Sequence, residues 1–234
     1  VGPAMCAPCP TWSGVGWPNR ADNRGMDDIV RQALAKWPHV PDCYGWLGLD
    51  ARGHWYLRDT AVQAAGPFPQ AKGSLLQHDK LIAFIARNYE ADAQGQWFFQ
   101  NGPQRVYAEL EAAPWVWRIE PDYSLQSHTG QAAQALECLV DEAGRVYLAT
   151  ALGLGLVHTL DVPLAAVAVE QGLWVPQAVQ ADALPLRYGF VASPSARHEV
   201  MTRACKSRPR GAGWCGAAGA KVNGSEIKEE WAAR

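Results

Sequence analysis

The chain has 234 residues, 48% hydrophobic and 19% charged, and so reads as soluble and globular with enough apolar material for one sizeable core. Its net charge of −2 is unevenly spread: residues 26–198 hold 12 Lys and Arg against 18 Asp and Glu, while both ends are basic. An acidic middle argues against binding a nucleic-acid backbone, and the most apolar window, interrupted by His158, Asp161 and Pro163, argues against a membrane span.

Residues 1–25 are rich in Pro and Gly without periodicity and read as a flexible N-terminal extension. They lack the basic start and apolar run of a signal peptide, so the cytoplasm is the expected compartment. In MDDIVRQALAKW, Asp27 and Asp28 precede apolar residues at Ile29, Val30, Ala33, Leu34 and Trp37, which predicts an amphipathic helix ended by Pro38. Strand-like runs then flank Asp50-Ala51-Arg52-Gly53. The same spelling, Asp, two variable residues and Gly, returns at Asp92 and Asp141. Asp caps nearby backbone N–H groups and Gly supplies positive φ, the chemistry of a type I turn with a following bulge. The unequal spacing of the three copies argues against a solenoid or propeller, and turn-making accounts for both fixed residues without a shared ligand.

Between the copies, Leu75, Leu81, Ile82, Ile85 and Tyr89 mark a second helix. A hairpin around Asn101-Gly102-Pro103-Gln104 follows, then a strand in PWVWRIE, a short helix at 163–172 and a last strand in LRYGFVAS. This order predicts an α+β fold: an antiparallel sheet built from β-hairpins, with two or three packed helices. The expected organisation is a single domain at 26–198 and a mostly disordered tail at 199–234, where Gly, Ala, Arg and Lys dominate.

Five stretches, MDDIVRQALAKWP, CYGWLGLDARGHWYLRD, FIARNY, WFFQNGPQRVYAELE and PWVWR, together resemble a proteobacterial family known only as a domain of unknown function, over about residues 26–196. The resemblance implies a small soluble bacterial protein. It assigns no catalytic residue.

Cys6 and Cys9 have the spacing of a redox or zinc motif but sit among prolines near a chain end. Cys43 and Cys138 read as reduced, partly buried thiols. No H-E-x-x-H, G-x-S-x-G, P-loop or dinucleotide fingerprint occurs, and no metal or cofactor is implied. His78 shares a helical face with Ile82, Ile85 and Tyr89 and reads as a histidine at the core's edge. His39, Asp42 and Cys43 crowd one stretch in which a thiolate would be activated. These two features make His78, His39 and Cys43 the catalytic candidates of an enzyme reading. Of eleven tryptophans, Trp115 and Trp117 alternate on one strand and share a face, which is either core or an open aromatic surface. With Arg118 and the turn residues Asn101, Gln104 and Arg105 they form the predicted ligand-binding set. The function expected is a non-catalytic binding or protein-interaction domain taking a protein partner or small ligand. The alternative is an enzyme with a His- or Cys-centred site.

Overall fold

A computed structural model describes residues 28–36 and 40–206. The predicted first helix is α1, Asp28–Lys36, with Asp28 in its first turn and Lys36 in its last, signs that suit the helix dipole. Two sheets follow. The first contains β1 (Cys43–Leu49), β2 (Trp55–Leu57), β3 (Ser74–Leu75), β4 (Tyr89–Ala91), β5 (Trp97–Asn101) and β6 (Gln104–Leu110). The second contains β7 (Trp115–Ile119), β8 (Leu125–Ser127), β9 (Ala132–Ala133), β10 (Glu137–Asp141), β11 (Val146–Thr150), β12 (Gly153–Val157) and β13 (Pro176–Val179).

The spatial orders are β3-β2-β1-β6-β5-β4 and β13-β10-β11-β12-β7-β8-β9. Without β13, the second sheet repeats the first strand for strand. Each is two antiparallel meanders joined by a parallel pair, β1 with β6 and β12 with β7. The registers agree: Leu47 faces Ala108 as Trp117 faces Val157, and Phe98 faces Tyr107 as Tyr147 faces Leu156. The single antiparallel sheet expected from the hairpins is therefore corrected to two mixed sheets, with β10–β13 a third parallel pair. Hairpin turns are local and readable, whereas parallel pairs join strands far apart in sequence.

The recurrent Asp-x-x-Gly stretches fall at matching places in the two units. In each, the Asp N–H donates to the carbonyl four residues on, the Gly N–H donates back to the Asp carbonyl, and the Asp carboxylate accepts two further backbone N–H groups. Gly53, Gly95 and Gly144 have φ of 83°, 77° and 76°. Turns 50–54 and 92–96 serve β1–β2 and β4–β5, and turn 141–145 serves β10–β11. The fourth equivalent, between β7 and β8, keeps the same backbone bonds with Glu120 and Tyr123 in the Asp and Gly places, Tyr123 at φ 63°.

One apolar core runs between the sheets, drawing Leu47, Leu49, Phe99 and Ala108 from the first and Trp115, Trp117, Leu139 and Leu148 from the second. Helices α2 (Thr60–Ala65) and α3 (Asp79–Arg87) lie within the first unit. His78 is the exposed N-cap of α3, its Nδ1 accepting from the Leu81 N–H at 3.2 Å, and not a residue of the core edge. Tyr89 is not helical but opens β4. After β12 come α4 (Val162–Glu170), β13, α5 (Leu184–Arg187) and α6 (Pro194–Lys206). The strand expected in LRYGFVAS is instead the end of α5 and irregular backbone, which still donates from Val191 N to Gly95 O and accepts at Ala192 O from Leu110 N. Regular structure continues past residue 198: α6 crosses β1 and β6, with buried Glu109 accepting from Ser193 Oγ and Ser195 N at its start.

Candidate functional site

The structure splits the residues expected to act together into three places. Trp115 and Trp117 are 3% and 0% exposed and point into the joint between the sheets. There Tyr89 and Trp97 of the first sheet meet Trp115 edge to face at 5.6 and 5.1 Å, and Trp55 meets Tyr89 at 5.2 Å. The aromatic face is thus internal, because the partner sheet covers it. His128 closes this cluster. Its Nδ1 accepts from Val116 N at 3.3 Å, its Nε2 has no hydrogen-bond partner, and burial pushes its pKa down to about 3, so the ring stays neutral.

Arg105 belongs to a second place, on the face of the first sheet turned away from that core, whereas Gln104, next to it in β6, turns to the opposite face. Gln104 anchors Pro41 O through Nε2, and the Arg105 guanidinium lies 4.9 Å over Phe98. Beside them Tyr107 stacks on Tyr44 at 4.5 Å and Tyr44 on His198 of α6 at 4.3 Å, while Tyr107 OH donates to Asp92. Burial raises Asp42, Tyr44, Glu90 and Tyr107 above their ordinary values. Such a cluster of shifted groups is the usual mark of an active site. Here α6 already fills it, so its evident role is to seat that helix. Asn101 pairs with Gln104 across a two-residue turn in which Gly102, at φ 58°, comes first.

Arg118 occupies the third place, exposed on the outer side of β7 and tied to Asp161. Of the catalytic candidates, His39 lies outside the described residues. Cys43 is buried, and burial aided by the Asp42 charge pushes its thiol up to about 12, which makes it a poor nucleophile. Cys138 is likewise free and buried. The CAPC stretch lies outside the described residues.

A surface that the sequence reading missed lies along the free edge of the second sheet. Among the described residues its last strand, β13, pairs only with β10, and Pro176, Gln177 and Ala178 are exposed. Around it stand large apolar side chains in water: Leu186 (91%), Val175 (74%), Leu136 (71%) and Leu173 (54%). The register brings two of them, Val175 and Leu136, together. Pro176 lies opposite Cys138, so Val175 and Leu136 flank the same end of the pair, and Arg187 of α5 reaches Glu137 and Gln177. Leu160, Leu164 and Val167 follow at helical spacing on and before α4, also exposed. The signal that would have revealed the α4 residues is the apolar composition of VPLAAVAVE, which has no polar side chain before Glu170. Among the described residues no helix is long and apolar enough to cross a membrane.

A family model described as Protein of unknown function (DUF2946), DUF2944, matches residues 26–195. The chain belongs to this family. The resemblance read from the sequence is thereby borne out. No curated protein matches the chain. Two solved structures of DUF1285 family proteins are similar in part. The one from Silicibacter pomeroyi DSS-3 is 10% identical at a TM-score of 0.38, over 62% of this chain and 80% of its own. The one from Shewanella baltica OS155 is 15% identical at 0.33, over 55% of this chain and 92% of its own.

Proposed function

We propose that this family member is a non-catalytic protein-interaction domain that takes an extended segment of a partner protein along the free edge of β13. The observation that supports the reading is that Leu136, Leu173, Val175 and Leu186 are all more than half exposed in or beside β10, β13 and α5, and that among the described residues β13 has no strand on its second edge. Soluble domains seldom leave such a patch uncovered, and they commonly guard sheet edges with Lys, bulges or covering loops. β13 carries no charge; Pro176 at its start is its one protective residue. An added strand would take affinity from main-chain hydrogen bonds and selectivity from the apolar side chains beside them.

Selection from a random peptide library against the full chain tests this. The reading expects enriched sequences with alternating apolar residues, whose affinity falls at least tenfold against Val175→Lys and Leu186→Lys. Selected peptides that bind both variants as well as the parent would overturn it. So would a stable homodimer that blocks the edge and is broken by the same changes, since the occupant would then be a second copy.

A further inference from the structure

The third place, around Arg118, is built from both units. Val157 of β12 lies opposite Trp117 of β7 in a parallel pair, and the next N–H, that of His158, donates to Trp117 O at 2.8 Å. Trp117 and Val157 are buried, so the following pair, Arg118 and His158, turns to the other face of the sheet. Arg118 is held there. Its Nε and Nη2 donate to the Asp161 carboxylate, which also accepts from Ile119 N at 3.2 Å. Asp161 itself is buried, whereas the Arg118 side chain is half exposed. Two of five guanidinium N–H groups are therefore committed, and the rest remain for a ligand. The His158 Nδ1 accepts from Leu160 N at 3.2 Å, which leaves the proton of the neutral ring on Nε2 as a donor.

The first unit brings its own cations to this face. Gly53 of turn 50–54 sits against His128 and Val116: a Cβ there would lie 2.8 Å from His128 Cβ and 3.5 Å from Val116 Cβ. Val116 is two residues from Arg118 on the same side of β7. The residues flanking Gly53, Arg52 and His54, are both exposed. Burial first, then Arg118, Arg52 and His54, hold His158 below its ordinary value, as expected for cations facing one another. Of the carboxylates nearby, Asp50 is engaged with backbone N–H groups, Lys72 and His54, and Asp161 with Arg118, while the exposed Glu120 adds one negative charge within reach of Arg118.

We infer that Arg52, His54, Arg118 and His158 form a binding site for a phosphate-bearing small molecule at the junction of the two units. A braced guanidinium, a second one carried by turn 50–54 and two imidazole donors suit the several acceptor oxygens of a phosphoryl group. The site is separate from the β13 edge and stands whether or not that edge binds a partner.

Inorganic phosphate titrated into the full chain at constant ionic strength, followed by the imidazole C–H signals in NMR, tests it. Constant ionic strength removes general screening from the readout. The His54 and His158 signals are expected to move together along one saturable curve, while those of His78 and His198 stay still. Arg52→Gln and Arg118→Gln should each weaken binding at least tenfold, and Arg203→Gln on α6 should not. If Arg118→Gln disturbs the fold through Asp161, Arg52→Gln on its exposed turn still gives the answer. Linear shifts, shifts shared by all histidines, or full binding by Arg52→Gln would overturn the site.

Discussion

Asp141 accepts from two backbone N–H groups of its turn, from Arg145 Nε at 2.7 Å and from Tyr147 OH at 3.2 Å, with its side chain wholly buried. Removing it leaves four donors unsatisfied, so Asp141→Ala should cost about 3 kcal/mol in urea unfolding. The hydrogen bonds and the Arg145 charge hold the carboxyl below its ordinary value despite burial. Its stabilisation is therefore present above the unfolded value near 3.8 and is lost only as the pH falls below that. His128 has the opposite consequence at higher pH. Its folded value of about 3 lies under the ordinary 6.5, so the unfolded chain takes up a proton that the native one refuses. Stability should fall from about pH 6.5 towards 4.5 by up to about 1.4 kcal/mol per pH unit. His158 acts in the same direction. His128→Phe should flatten most of that slope; an unchanged slope would place the acid sensitivity elsewhere. At this scale the sequence was informative where a residue acts on its own backbone. The Asp-x-x-Gly turns could be read because cap and positive φ are local. Glu120-Pro121-Asp122-Tyr123 makes the same turn without either marker residue, and so escaped notice.

Elements show how far local patterns reach. The apolar spacing around Leu81, Ile82 and Ile85 placed α3 correctly, but its ends were set by the His78 cap and by the pull of Tyr89 into the sheet. Gly155 is a further case. It stands in β12 where Val106 stands in β6, because the indole of Trp117 crosses it to donate to Leu148 O at 3.0 Å. A Cβ at Gly155 would lie 2.2 Å from Trp117 Nε1 and 2.7 Å from Trp115 Cβ. Gly155→Ala should therefore destabilise by about 2–3 kcal/mol, as overpacking does, with Trp fluorescence altered in the folded state. Arg58 makes a similar point for a loop. Buried, it donates to the carbonyls of Gly45, Gly66 and Ala71, joining β1 to the segment around α2. Arg58→Met leaves those carbonyls unsatisfied and should cost about 3 kcal/mol, measured as a shift in the urea midpoint.

For the whole molecule, pairing of two like units explains why the aromatic residues are inside. Trp115 and Trp117 do share a face, as strand alternation requires, but only the three-dimensional arrangement says that another sheet covers it. Arg118, next in sequence, turns outward for the same reason, and Arg105 lies on a different sheet altogether. The predicted set was therefore correct as to which residues alternate and uninformative as to which converge. The β13 edge was invisible because its exposure depends on strand order. That edge is the centre of the proposed function. The most direct measurement is hydrogen exchange across residues 173–188, with and without a library-selected peptide. The account predicts new protection at amides within Gln177–Val179, abolished by Val175→Lys. Protection confined to other surfaces, with the amides of β13 unchanged, would contradict it.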